Sequence, residues 1–311
     1  MQTFKQKIGL ALAATTILFT APACAQTQTL PTPVETTQVA AAEVESAGPA
    51  LWMVKDADTT IYMFGTVHAL PAGLDWYKGS IKDALASSDT IVTEIMMDES
   101  MAAEAAKLVA EKGTLPAGTT LRGLMTEEQK GVYEAALAKL RVPAVALDQS
   151  EPWSAGMTMA MLPLLQQGYS AENGVEKVLL ANADGKQRKA LETLAFQISA
   201  FDGLPQDSQM KFLIDAAEGI DEIKPQLDAM VAEWIVGDAK GLAALMNEGM
   251  DDEALAEALL YSRNKNWAVW IDERMEAPGT VFIAVGAAHL GGEKSVQDYL
   301  KGAGIKTYRI Q

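Results

Sequence analysis

The chain runs to 311 residues and sets 41 acidic side chains against 25 basic ones, a net charge of −16, with one cysteine and two histidines. No basic cluster relieves that acidity, so nucleic acid and anionic membrane surfaces are excluded as expected partners, and the acidity itself reads as a solvated surface. A single cysteine excludes a disulfide scaffold and a thiolate-rich zinc site, which leaves a hydrophobic core as the source of stability and a length ample for one large domain.

The opening stretch, MQTFKQKIGLALAATTILFTAPACAQ, carries Lys5 and Lys7, then an apolar run from Ile8 to about Pro22, then small residues. That is the three-part pattern of a secretory signal peptide, and the run falls short of the ~20 residues a membrane-spanning helix needs. Ala23 and Ala25 satisfy the small-x-small rule for cleavage after Ala25, which makes residues 1–25 the signal. The competing reading is a lipoprotein anchored at Cys24, the one expected route to a membrane, although Ala21 and Pro22 make a poor lipobox. Both readings export the chain, to the periplasm or beyond the cell. Plain cleavage leaves 23 basic against 41 acidic residues, a net −18, and no thiol.

Residues 26–48 are rich in Thr, Gln, Ala and Pro with almost no large apolar side chains, a flexible linker by composition. A single domain is expected over 49–311. It opens with ALWMVKDADTTIYMFG, two apolar runs around Lys-Asp-Ala-Asp that predict a β-hairpin. A helix near 78–87 and a strand near 89–96 (DTIVTEIM) follow. From about 99 to 276 an apolar spacing of three to four predicts helices, broken at Gly113–Pro116, Pro143, Pro152, Gly168, Gly185 and Pro205, with a short strand at QRKALET. The Met-rich stretches, Met96 and Met97 included, read as core, as do Trp153, Trp234 and Trp270. The end returns to β structure: GTVFIAVG as a strand, GEKSVQDYLKGAG as a helix, IKTYRIQ as a last strand.

Both histidines fall in one local pattern, an apolar run followed by Gly-x-x-His and Leu: Gly65 to His68, and Gly286 to His289, 221 positions later. Each copy continues into a helix and a strand, a weak internal repeat. A strand–helix–strand unit of this kind prefers a right-handed crossover, which sets its two strands parallel in one sheet. The expected fold is therefore α/β: a mixed, partly parallel central sheet built from both chain ends, with a largely helical insertion between two strand–Gly-x-x-His–helix–strand half-repeats. Ligands in open α/β sheets bind beyond the carboxyl ends of the strands. His68, His289 and Glu94, a carboxylate in the apolar run IVTEIMM, would meet at such an edge. The bland alternative makes each histidine a loop residue bonded to a nearby carbonyl and Glu94 an exposed strand end.

Six blocks in order, LWMVKDADTTIYMFGTVHALPAG, SSDTIVTEI, GVEKVLLANADGKQRKALETL, FDGLPQDSQ, RNKNWAVWI and VGAAHLGG, together resemble the TraB/GumN family, from about Leu51 to Ile310. That family is similar to the TIKI-type metalloproteases and, more distantly, to erythromycin-esterase-like hydrolases. The resemblance implies a functional role for Gly65 to His68, Gly286 to His289 and Glu94, and places Glu176, Glu192, Arg263 and Asn264 at further family positions. Physical chemistry gives some of these their own case. Leu255, Leu259, Arg263, Trp267 and Ile271 repeat every four positions on a helix expected from about 252 to 276, so Arg263 interrupts an apolar stripe. A charge facing a core needs a partner. Glu192 is the candidate, either as a structural ion pair or as part of a catalytic site. Glu176 reads either as a site residue or as a half-exposed helix flank.

The function this implies is an exported divalent-metal-dependent hydrolase acting on a peptide or small molecule, with peptidases among the expected activities. His68, His289 and Glu94 would hold the metal, and two imidazoles with a carboxylate suit zinc, manganese, cobalt or iron. Glu192 or Glu176 would be the general base, and Arg263 would hold a substrate carboxylate or a developing oxyanion. Two alternatives stand beside it: a metal-independent hydrolase in which a histidine oriented by Glu94 activates water, and a non-catalytic exported factor that binds a peptide or signal.

Overall fold

The computed structural model describes residues 48–247 and 252–311. The expected signal peptide, and the expected linker up to residue 47, lie outside the described residues. The first element is the predicted hairpin, β1 (Leu51–Lys55) and β2 (Thr59–Thr66). Its turn is set by Asp56, whose Oδ1 accepts from the Asp58 and Thr59 amides at 3.1 and 2.8 Å. β3 (Thr90–Thr93), β4 (Gln187–Ala190), β5 (Gly279–Gly286) and β6 (Tyr308–Arg309) complete one sheet in the order β4-β3-β5-β2-β1-β6.

β4, β3, β5 and β2 are mutually parallel, while β1 is antiparallel to both of its neighbours. The register between the two halves is long: β2 and β5 pair from Thr59↔Gly279 to Thr66↔Gly286. The C-terminal β5 thus lies between β2 and β3, so the first half-repeat spans a strand supplied by the second. Both half-repeats are present, β2–helix Gly79–Ser87–β3 and β5–helix Val296–Gly302–β6.

The central strands are buried on both faces, as parallel strands are when helices cover them. Along β5, Val281, Ile283 and Val285 face one core, with Ile61, Met63, Trp267, Ile271 and Leu300. Phe282 and Ala284 face the other, with Phe64 of β2 and with Leu179, Leu213 and Trp234 of the helical insertion. A third cluster, around Ile95, Trp153, Phe201, Phe212 and Leu259, holds the insertion to the ends of β3 and β4.

The expected breaks fall outside the helices, Gly185 between the helix Val175–Ala181 and β4, except that Pro152 occupies a helix's first turn. β3 is shorter than expected because the chain bends at Glu94, whose side chain turns into a polar cluster. Met96 is 42 % exposed, which corrects its assignment to the core, whereas Trp153 and Trp234 are buried and Trp270 is half-buried. The helix expected from about 252 to 276 is interrupted by a π-helical turn at Glu257–Tyr261, directly ahead of Ser262–Met275. No helix among the described residues is long and apolar enough to cross a membrane.

Candidate functional site

Four parallel strands end at one edge of the sheet, and each exit delivers a titratable side chain. Glu192 follows β4, Glu94 follows β3, His289 follows β5 in a short 3₁₀ turn (Ala287–Leu290), and His68 follows β2. Across the sheet the row reads Glu192, Glu94, His289, His68. The two Gly-x-x-His segments pack on one another: a Cβ on Gly65 would stand 3.0 Å from Ala287 Cα, so glycine is what lets them close. Trp234 fixes the same exit by donating from Nε1 to the Gly65 carbonyl at 2.8 Å.

Glu176 reaches this edge from the insertion. The helix Val175–Ala181 docks on the His68 segment through the Val175 amide and Val67 carbonyl at 3.1 Å. Gly174 permits the approach, since a Cβ there would lie 2.1 Å from the His68 carbonyl oxygen. Glu176 is 3 % exposed, which corrects the half-exposed flank reading. Its Oε1 accepts from His68 Nδ1 at 2.6 Å and from Thr66 Oγ1 at 2.5 Å. Burial opposes charge on both partners, but the mutual attraction and hydrogen bonding outweigh it. The His68 imidazole is held above its ordinary value and the Glu176 carboxyl below its own.

His289 is fully buried and is oriented by a neutral group. Its Nδ1 lies 2.6 Å from Asn264 Oδ1, while Asn264 Nδ2 donates to the Lys294 carbonyl at 2.8 Å. A carbonyl only accepts, so the amide orientation is set and His289 Nδ1 must carry the donated proton. Lys294 turns that carbonyl inward from a left-handed backbone conformation, φ 54°. Burial, then the positive charges of Arg263 and His68, push the His289 imidazole well below its ordinary value, so it is neutral at pH 7.

Between the histidines and the far edge lies a buried ion cluster. Arg263, 2 % exposed, donates to both oxygens of Glu192 at 2.9 to 3.0 Å, to Glu94 Oε2 at 2.6 Å and to the Leu259 carbonyl at 2.9 Å. The interrupted stripe is thereby explained, with Glu192 as the expected partner and Glu94 as a second. Gln197 bridges the two carboxylates through Nε2, at 2.9 Å to Glu94 and 3.2 Å to Glu192. Trp267 Nε1 donates to Glu192 and the Gly286 amide donates to Glu94 Oε1 at 2.7 Å. Sequence reasoning missed Gln197 and Thr66. Gln197 carried a signal of the kind that marked Glu94, a polar side chain in the apolar stretch LAFQISAF.

The open atoms are the two Nε2 nitrogens. His68 Nε2 and His289 Nε2 are both buried and without a hydrogen-bond partner among the described residues. Glu94 Oε1 stands 3.8 Å from His289 Nε2. Histidines pinned through Nδ1 with Nε2 left open are how proteins present imidazole to a metal. Each of the two histidines is thus pinned and open in the way an imidazole donor to a divalent ion must be. Glu94 is less ready for it, because both of its oxygens already accept hydrogen bonds. Among the described residues no three His, Cys, Asp or Glu side chains stand in a finished metal-holding arrangement.

The fold and this edge define an α/β protein whose candidate site lies at paired Gly-x-x-His exits of parallel strands. The model of the TraB/PrgY/gumN family matches residues 50–309, and the chain belongs to that family. No curated protein and no solved structure matches it.

Proposed function

We propose that this chain is an exported hydrolase, dependent on a divalent metal held by His68 and His289 and acting on peptides. The observation that carries the reading is the pair of imidazoles, His68 half-buried and His289 buried, whose Nδ1 atoms are committed, to Glu176 and Asn264, and whose buried Nε2 atoms are open. Charge supports it. A bound metal would take the place of the proton that Glu176 favours on His68, and the carboxylates of Glu94, Glu176 and Glu192 then outnumber the Arg263 guanidinium they surround, an excess of negative charge that a divalent cation would offset. When bound, such a metal supplies Lewis-acid polarisation of a substrate carbonyl at neutral pH.

The remaining roles belong to the chain. Glu94 Oε1 is the carboxylate oxygen nearest the open His289 nitrogen, which makes it the acceptor for the proton of an attacking water. Arg263 and Gln197 hold Glu94 from its other oxygen, so Arg263 acts as a positioning residue and not as a clamp on the substrate. Glu192 anchors the guanidinium in turn, and Asn264 and Glu176 set the imidazole orientations. Export rests on the N-terminal signal pattern. A second, metal-independent hydrolase reading is favoured by one feature, the His68–Glu176 pair: a carboxylate-backed imidazole with an open Nε2 is itself a general base.

Elemental analysis and a peptide-pool cleavage assay test the proposal. The expected result is one divalent ion per chain, lost in His68→Ala and His289→Ala, with cleavage abolished by a chelator and restored by added metal. Turnover that survives chelation but disappears in His68→Ala would favour the metal-independent reading. Absence of both metal and turnover would reject the two together.

A further inference from the structure

Thr66 is the last residue of β2, fully buried and paired across the sheet with Gly286. Valine has nearly the same shape and suits a buried parallel strand at least as well. What threonine adds is its hydroxyl, and that hydroxyl goes to Glu176 Oε1 at 2.5 Å, the same oxygen that accepts His68 Nδ1 at 2.6 Å. Two donors on one carboxylate oxygen fix the carboxylate in place, and donors to a charged acceptor make short, directional bonds. Glu176 in turn is brought to this point by the close approach at Gly174.

We propose that Thr66 is a positioning residue for the site: through Glu176 it fixes the His68 ring with its proton on Nδ1 and its lone pair on Nε2. The proposal rests on the hydrolase reading only for why an open Nε2 is needed; the geometry it asserts can be measured without metal or substrate. Thr66, Glu176 and His68 form a chain of hydrogen bonds that mirrors Lys294, Asn264 and His289 on the neighbouring strand exit. On the His289 side a main-chain carbonyl fixes the orienting group. On the His68 side Thr66 does so, from the strand two residues ahead of the histidine.

Only two histidines are present, so the imidazole nitrogen resonances of uniformly ¹⁵N-labelled metal-free protein report directly on His68 and His289. At alkaline pH, where both rings are neutral, wild type should show His68 as a single Nδ1–H tautomer. Thr66→Val should give a tautomer mixture at His68 with His289 unchanged, and should weaken Zn²⁺ affinity by about tenfold or more, the scale seen when groups that orient a metal ligand are lost. Thr66→Ser keeps the hydroxyl and should restore both readouts. In a Glu176→Gln background Thr66→Val should have no further effect, since Thr66 acts through Glu176.

A single Nδ1–H tautomer retained in Thr66→Val overturns the proposal. So does equal disturbance by Thr66→Ser, which would make the methyl group the important part, or an undiminished effect in Glu176→Gln. Should Thr66→Val fail to fold, the tautomer in Thr66→Ser decides alone, a mixture overturning the proposal. Failure of the hydrolase reading looks different: wild type would bind no Zn²⁺ and turn over no peptide while the tautomer pattern across the variants still held.

Discussion

Arg263 is the largest charged group in the interior, and its removal would do more than delete hydrogen bonds. Arg263→Met leaves Glu94 and Glu192 side by side without the guanidinium between them, and breaking a buried pair in this way costs about 3–5 kcal/mol. Arg263→Lys restores charge without the planar fork and should fall between. Urea denaturation measures both; a loss below about 1 kcal/mol in Arg263→Met would show that the two carboxylates do not depend on it. The histidines make a second prediction, with opposite signs, for metal-free protein. His289 is faced by Asn264, Trp267, Glu94, Arg263 and His68, and its folded-state value lies well below the ordinary 6.5. The unfolded chain therefore binds the extra proton first. Stability is present above about pH 6.5 and lost as pH falls below it, by up to about 1.4 kcal/mol per pH unit. His68, raised by Glu176, contributes stability that is full below 6.5 and lost as pH rises through its folded value. A melting series should show His289→Asn flattening the acid limb and His68→Asn flattening the limb above neutrality; an acid limb unchanged in His289→Asn refutes that assignment. Much of this site was legible beforehand, because two histidines in one pattern, a carboxylate in an apolar run and an arginine in an apolar stripe are each locally anomalous. Thr66 was not: its partner lies 110 positions away and nothing local betrays the bond, whereas Gln197 stood out in an apolar stretch although its partner Glu94 lies 103 positions off.

Among the elements, the short helix Val175–Ala181 and the helix Glu127–Lys139 make opposite predictions for the same substitution. Gly174→Ala would place a methyl group 2.1 Å from the His68 carbonyl oxygen, main chain against main chain, so the helix start must retreat and draw Glu176 away. We expect a loss of about 1–3 kcal/mol, as for other forced insertions, together with a loss of metal affinity that the stability change alone does not explain. Gly131 lies inside the second helix with open space around it, and Gly131→Ala should raise stability by about 0.5–1 kcal/mol through helix propensity. Thermal melts of the two variants beside wild type check both signs. Element types and most breaks could be read from periodicity, whereas lengths could not. β3 stops at Thr93 because the cluster beyond it claims Glu94, and the π turn at Glu257–Tyr261 leaves no trace in a four-residue repeat. That turn immediately precedes the helix carrying Arg263 and Asn264, a placement common for π-bulges beside functional residues.

At the scale of the whole molecule, the sheet is closed by a strand that arrives some 220 residues after its neighbour. The half-repeat pattern was enough to expect parallel strands from both chain ends. It could not show that β5 would separate β2 from β3, because strand order depends on which edge remains open when the last strand docks. The order makes truncations unequal. A chain ending at Met275 loses β5, and with it Val281, Ile283 and Val285 from one core and Phe282 and Ala284 from the other. β2 and β3 would then have no strand between them, His289 would be absent, and the helix Ser262–Met275 would have no sheet centre to cover. Such a chain should show no cooperative thermal transition. A chain ending at Lys306 loses β6, which pairs with β1 at Trp52↔Arg309 and Met53↔Tyr308, the main-chain contacts of Ile310 and Gln311 with Leu51, and the side-chain bonds of Arg309 to the Gly237 carbonyl and of Gln311 to the Pro49 carbonyl. β6 lies at the edge opposite β4, and none of its residues touches the histidine and carboxylate row. This shorter deletion should keep a cooperative melt, lowered by about 1–3 kcal/mol in stability, and should keep wild-type divalent-metal binding. Circular dichroism melts of the two truncations with a Zn²⁺ titration of the longer one decide the matter. A cooperative melt from the chain ending at Met275 would mean that the helical insertion folds by itself and that β5 is an addition to a finished domain, not its centre.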